Sequence, residues 1–437
     1  MSVNIGSEIT VDIERPAAGG TMLARHEGRV VLVRGAIPGE RVRARIDRAG
    51  KGVLYAETVE VLVASPDRRD VDHDALCGGN VFAHVAYDRQ RRLKGEIIRD
   101  ALGRIGHVSL PAPPDVIGSP EHGYRMRARL HARGGRLGFF REGTHQLCDA
   151  ASTRQLLSGT AEWIASAERL ITRDRLTGLA GIEIAENISG AERACHLELH
   201  AGVDAARFAT LADAGPLTGL SAERADRMGV ERLAGTPSVG DILHVRPDDP
   251  ATALRLRRDV RAFFQGNRFL LEPLVRHVVA LVPSGPVVDL YAGVGLFGLS
   301  LAAAGAEDVT LVEGDPVSGA DLLDNAEPLL SRVRLERRSV ESFLSRGPRR
   351  DIAADATVIV DPPRTGMSKE ALGGVVGRQP ARIVYVSCDV ATLARDTRVL
   401  LDAGYGLDGI TGIDLFPNTA HVETAAVFSR VRAPSSV

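Results

Sequence analysis

The stretch Pro286 to Gly305, PVVDLYAGVGLFGLSLAAAG, limits what this chain can fold into more than any other. An apolar run opens it, a turn of the form Gly293-x-Gly295-x-x-Gly298 follows, and a helical pattern closes it. Val309 to Val312 then read as a second buried strand ending in Glu313, twenty residues past Gly293. Strand, glycine turn, helix and an acid at the next strand's tip make the first unit of a doubly wound α/β sheet. In such a unit the glycines let backbone approach a ligand and the acid accepts ribose hydroxyls. The expected ligand is a nucleoside-type cofactor, as against a merely tight turn. Its identity stays open at this point, since NAD and S-adenosylmethionine both use such a turn.

Two further strand tips carry chemistry. In Ile383 to Asp396, IVYVSCDVATLARD, an apolar run ends in Ser387-Cys388 and a helical pattern follows, which sets one thiol at the carboxyl edge of a sheet, where ligands collect. Val358-Ile359-Val360 runs into Asp361-Pro362-Pro363-Arg364, a proline-stiffened loop bearing a carboxylate and a guanidinium.

The chain of 437 residues is long enough for about three domains. Its formal net charge of -2 advertises no global field for a polyanion, so contact with nucleic acid has to come from local patches. Cys77, Cys148, Cys195 and Cys388 are scattered with no CxxC pair, which argues against a disulfide framework and for a reducing, cytoplasmic setting. The start lacks an apolar signal region, and no apolar run approaches the ~20 residues that span a bilayer, so no membrane partner is expected.

Residues 1–65 read as a small β-barrel of short strands broken by Gly19-Gly20, Gly28, Pro38-Gly39 and Gly50. Arg41, Arg43 and Arg45 alternate with Val42, Ala44 and Ile46, which puts three guanidinium groups on one strand face, by itself a solvated face. Residues 66–255 read as a central α+β region. It begins with the linker Ser65-Pro66-Asp67-Arg68-Arg69 and an amphipathic helix from Tyr87 to Leu102. Tyr124 to Arg141 has the form of a hairpin turning at Gly134-Gly135, rich in arginine and free of acid, with Tyr124, Phe139 and Phe140 interleaved. Such a mixture suits single-stranded RNA, and a solvated hairpin with core aromatics is the alternative. From 151 to about 255 no motif stands out, and Trp163, Cys195 and His196 are read as packing.

The run VVLVRGAIPGERVRARI resembles the TRAM domain, a small RNA-binding barrel attached to RNA-modifying enzymes. FFQGNRFLLEPL (263–274), DLYAGVGLF, LVEGD, DPPRTG, SCDVATLARD and DLFPNTAHVE (414–423), in that order, resemble the RNA uracil-5-methyltransferase family in its TRAM-bearing branch. The likeness extends back through YDRQRRLKGEIIRDALGRIG and GYRMRARL. It implies a class I methyltransferase domain over 256–437, S-adenosylmethionine as cofactor, Cys388 as nucleophile and Glu423 as general base. It also implies a cofactor site of Gln265, Tyr291, the turn at Gly293 and Gly295, Glu313 on the ribose hydroxyls, and Asp361. Arg364 and Asn267 are expected nearby. The chemistry stands on its own: uracil C5 is a poor nucleophile until a thiolate adds at C6, and the C5 proton must afterwards leave.

The sequence departs from the family's pattern in three places. Many members hold an iron-sulfur cluster on four cysteines, whereas here Cys77-Gly78-Gly79 is followed by Asn80, Val71 and Thr153 stand at or near two other ligand positions, and Cys148 alone would not restore the site. No cluster and no metal are expected. Asp389 and Val390 replace an Asn-Pro pair after Cys388, and a carboxylate there would raise the thiol's pKa if it faced the sulfur. Gly266 would loosen the backbone that presents Gln265. The expected partner is structured RNA, ribosomal ahead of transfer RNA, met by a monomer. A binding protein that has lost catalysis and a cytosine-5 enzyme are the alternatives.

Overall fold

In the computed structural model, residues 4–72, 74–346 and 352–431 are described; Met1 to Val3, at the start of the expected barrel, lie outside them. Strands Glu8–Pro16, Met22–His26, Arg29–Arg34, Val53–Val63 and Arg41–Ala49 close, in that order, into a barrel. Val42, Ala44 and Ile46 point inward and Arg41, Arg43 and Arg45 outward, as strict alternation requires. The outer face is not a bare basic strip, however. Arg43 pairs with Glu8 at 3.2 Å and Glu60 at 2.5 Å, and Arg41 lies 3.6 Å from Asp12. Those acids sit on the neighbouring strands, so the face is a mixed-charge lattice.

The central region is built on a seven-stranded sheet ordered Arg227–Gly235, Gly219–Arg224, Arg193–Leu199, Leu179–Glu186, Arg127–Arg133, Arg136–Phe140, Leu147–Asp149. Helix Ser158–Arg173 covers it, and Trp163 and Cys195 are buried in the shared core, as their type suggested. The arginine-rich hairpin turns at Gly134-Gly135 as expected, but its charges are spent internally. Arg127 meets Glu183, Arg129 meets Glu198, Arg136 meets Glu168 and Arg141 meets Asp74, at 2.7 to 3.2 Å. Tyr124 and Phe139 are core residues, and Phe140 stacks on His131 at 3.7 Å. The expectation of an aromatic stacking platform for RNA is therefore corrected at Tyr124 and Phe139.

The expectation of unpaired cysteines is corrected too. Cys77 and Cys148 form a disulfide, with Cα atoms 5.7 Å apart and a sequence separation of 71. Spacing gave no warning because folding of the sheet makes the pair: Cys77 bridges to Arg141, and Cys148 lies on the next strand over. A cross-link closing a loop of this length contributes about 4 kcal/mol by restricting the unfolded chain. Denaturant unfolding of Cys148→Ser, or of wild type with a dithiol reductant, is expected to shift to lower denaturant by roughly that free energy. Among the described residues no three His, Cys, Asp or Glu side chains group as metal ligands.

The C-terminal sheet carries the site. Its order is Val333–Glu336, Val309–Val312, Val287–Leu290, Thr357–Val360, Arg382–Ser387, Glu423–Arg430, Tyr405–Ile413, Val116–Ile117. The first five strands are parallel, and Glu423–Arg430 runs antiparallel to both neighbours. Strand order reverses between Val287–Leu290 and Thr357–Val360, and ligands bind in the crevice beyond the carboxyl ends at such a switch point. No helix among the described residues is long and apolar enough to cross a membrane.

Candidate active site

At the switch point the glycine turn is built as its sequence demands. Gly295 has φ +100°, and a Cβ there would lie 2.4 Å from Leu299; one on Gly298 would meet Leu311 at 2.7 Å and Asp289 at 2.9 Å. Glycine at 298 therefore lets the helix lie against the sheet, and glycine at 295 allows the left-handed turn that starts it. Gly293, at φ +57°, faces open space. Glu313 braces the turn: one carboxylate oxygen accepts the Gly293 N–H at 2.7 Å and the other the Asp315 N–H at 2.5 Å. Each oxygen keeps a lone pair for a ligand hydroxyl. Tyr291, at φ +63°, lines a neighbouring cavity with Pro363, Met367 and Arg395. Asp289 went unremarked in the sequence, although an acid in a strand buried throughout was the signal. It is fully buried, accepts the Gly298 N–H at 2.8 Å, and burial pushes its pKa up to about 8.

Cys388 follows strand Arg382–Ser387 directly, half-buried and free. Asp389 lines a cavity together with Cys388, but its carboxylate is engaged. Its side chain caps helix Val390–Asp402, accepting the N–H groups of Ala391 at 3.0 Å and Thr392 at 2.8 Å. Asp and Asn are equivalent in that task, so the departure from the family's Asn is conservative. Asp389→Asn is expected to leave stability unchanged, whereas Asp389→Ala lowers it by about 1 kcal/mol in thermal melts. What raises the Cys388 pKa, to about 11, is burial first and then the Glu423 carboxylate, with Arg364 acting in the opposite sense.

The structure brings Cys388, Glu423, Asp361 and Arg364 into one electrostatic cluster. Glu423 is 2% exposed, and its Oε1 has no hydrogen-bond partner among the described residues. Burial and then the Asp361 charge hold its pKa well above the usual carboxylate range, while Arg364 opposes this. Asp361 is pushed up to about 7 by burial, against a hydrogen bond of 3.3 Å from Gln265 Nε2. Gln265 thus touches Asp361, whose charge is felt by Glu423 and by Cys388. Asn267 is near, as expected, but structural: its Oδ1 accepts the N–H groups of Phe269 and Leu270, and its Nδ2 bonds Ser119 and the Leu415 carbonyl.

A cavity of about 260 Å³ opens onto Cys388, walled by Gly19 of the barrel, Gly79, Glu142, Thr419 and His421. The loop supplying Thr419 and His421 is gripped by helix Tyr87–Ala101, whose part no local pattern could reveal. Lys94 and Asp414, both fully buried, pair at 2.5 Å, and Lys94 also donates to the Phe416 carbonyl at 3.0 Å. Gln90 donates to Asn418 Oδ1 at 2.8 Å and accepts the Asn418 N–H at 2.8 Å. Burial, and then Arg364 and Lys94, lower the pKa of His421, which favours neutral imidazole.

Comparison with known proteins gives two family matches: the TRAM domain over residues 2–59 and tRNA (Uracil-5-)-methyltransferase over residues 252–431. The chain is 31% identical to the 23S rRNA (uracil(1939)-C(5))-methyltransferase RlmD of Halomonas elongata, over 94% of this chain and 87% of that protein. It is 31% identical to an uncharacterized RNA methyltransferase of Streptomyces coelicolor, over 97% of this chain and 93% of that one. Among solved structures, the Pyrococcus abyssi tRNA (uracil-54, C5)-methyltransferase in complex with S-adenosyl-L-homocysteine superposes with a TM-score of 0.76. It covers 96% of this chain and 99% of its own at 24% identity, a likeness of fold.

Proposed function

The chain belongs to the RNA uracil-5-methyltransferase family, in its TRAM-bearing branch, and on that premise we propose that it methylates C5 of a uridine in 23S rRNA through a covalent adduct at Cys388. The observation that carries the reading is the free, half-buried Cys388 thiol within the field of Glu423, a buried carboxyl with one oxygen unpartnered among the described residues. Relatives named for 23S rRNA align over nearly the whole chain, which favours ribosomal RNA. The solved structure named for tRNA keeps transfer RNA as the second reading.

S-adenosylmethionine, when bound, supplies an electrophilic methyl group on a sulfonium. The open face at Gly293, the spare lone pairs of Glu313 and the Gln265–Asp361 pair fit its nucleoside. The target base has to leave its stack to reach the thiol. The Cys388 thiolate bonds to C6, and the C5–C6 electron pair moves through C5 onto the C4 carbonyl oxygen. That pair returns through C5, which bonds to the methyl carbon as the methyl–sulfur bond of the donor breaks and S-adenosylhomocysteine is left. Glu423 then accepts the C5 proton, and the electron pair of that C–H bond restores the C5–C6 double bond and expels the Cys388 thiolate. Arg364 favours the charged forms of both Cys388 and Glu423.

The test is intact-protein mass spectrometry after incubation with S-adenosylmethionine and RNA containing 5-fluorouridine. Fluorine does not leave as a proton does, so a methylated protein–RNA adduct accumulates. Fragments of 23S rRNA and tRNA transcripts, tried side by side, separate the two substrate readings. RNA binding without an adduct on any of them would favour a binding protein that has lost catalysis.

A further inference from the structure

The segment Phe263 to Asn267, which presents Gln265, has little rigidity of its own. Gly266 at its centre is not held in a left-handed conformation, and a Cβ there would meet only the Phe416 ring, at 3.7 Å. Packing does not demand glycine, and glycine adds backbone freedom. The restraint comes from outside, from the central region whose sequence carried no motif. On one side the Arg258 guanidinium lies 4.0 Å over the Phe264 ring, pairs with Asp241, and donates to the Glu186 carbonyl at 2.5 Å. On the other, Arg268 donates to Glu186 Oε2 at 2.7 Å and to the Ile188 carbonyl at 2.8 Å. Arg193, at 2.7 Å, and Thr160 hold Glu186 Oε1 in turn. Main-chain bonds from Met126 N–H to the Gly266 carbonyl, 2.8 Å, and from Arg268 N–H to the Tyr124 carbonyl, 2.9 Å, complete the frame.

Glu186, Arg193, Asp241, Arg258 and Arg268 are all less than a tenth exposed. Buried ion clusters are poor devices for stability alone, because apolar replacements of similar volume are often as stable. Their directional bonds fix geometry, and here both arms end on residues one and three positions from Gln265. We propose that Glu186 is a positioning residue that fixes Gln265 for the methyl donor, through Arg268 by its side chain and through Arg258 by its carbonyl. Residues 151–255 thereby set donor affinity. The inference rests on the reading of Gln265 as donor-binding.

The test compares full-length Gln265→Ala, Glu186→Gln and Arg268→Met, each with and without Gly266→Ala. The readouts are S-adenosylhomocysteine affinity by calorimetry without RNA, KM for donor and for RNA, kcat and thermal melting. Gln265→Ala is expected to weaken donor binding about tenfold, and Arg268→Met and Glu186→Gln by a similar factor, since a loosened site loses productive geometry. Donor KM should rise with little change in RNA KM, and Gly266→Ala should recover part of the loss by stiffening the segment. A merely structural role would lower melting temperature and affect both substrates alike, without rescue. Should Glu186→Gln fail to fold, Arg268→Lys, which keeps the charge and loses the fork, carries the test. Folded variants with wild-type donor affinity, beside a weakened Gln265→Ala, would overturn the inference. An unweakened Gln265→Ala would instead overturn the reading of Gln265 beneath it.

Discussion

Cys388→Ala is expected to abolish methyl transfer, by about 10⁴-fold or more, and to leave no adduct on 5-fluorouridine RNA while RNA and donor still bind. The size follows from the chemistry. Without addition at C6 there is no electron-rich C5 to take the methyl group, so loss of the sulfur removes the route and does not merely slow a step. The same thiol sets the pH dependence. With its pKa pushed up to about 11, Cys388 is a neutral thiol at pH 7, and its thiolate fraction grows about tenfold per pH unit below that value. Glu423, raised in the same direction, also reaches its working form as pH rises. kcat/KM measured with limiting RNA should therefore climb with pH through the neutral range. Stability should move the other way. Asp289 and Asp361 have folded pKa values of about 8 and about 7, above their unfolded values, so their contribution is fully present below about pH 4 and is lost as pH rises to 7 or 8. An adduct formed by Cys388→Ala would remove the nucleophile from this reading.

What the sequence disclosed, and what it hid, divides by the range of the interactions. The first βα turn was legible because Gly295 and Gly298 answer to atoms on Leu299, Leu311 and Asp289, a few residues or one strand away. Cys388 was legible because a strand end and a helix start meet at one residue. The capping role of Asp389 is local too: an acid at the start of the helical pattern after Cys388 is the signal for it, and its side chain meets the Ala391 and Thr392 N–H groups. The helix from Tyr87 was found, but its grip on the loop after Asp414 was not, since Lys94 meets a partner 320 residues away. The hairpin arginines looked unopposed for the same reason. Glu183, Glu198 and Glu168 reach them only when the sheet and its covering helix assemble. Composition reports which charges a segment carries, whereas tertiary pairing decides which remain for RNA.

Glu423→Gln separates the two halves of the reaction. The amide is nearly isosteric and keeps an acceptor oxygen, but it cannot take up the C5 proton. Attack by Cys388 and methyl transfer need no base at C5, so both should proceed in the variant. Release should not. On ordinary uridine RNA, with no fluorine present, the variant is expected to accumulate a protein–RNA adduct already carrying the new methyl group, and turnover should fall by about 10²–10⁴-fold, the usual scale for a lost general base. Removing the Glu423 charge also removes the second cause of the raised Cys388 pKa, so adduct formation should be no slower than in wild type and should begin at lower pH. Rapid-quench mass spectrometry of single turnovers reads both steps at once. A variant that neither forms adduct nor turns over would place Glu423 in the attack step, as a base toward the thiol. A variant that turns over normally would assign the C5 proton to another acceptor, and Asp361, the carboxyl whose charge most affects Glu423, would be the next to test.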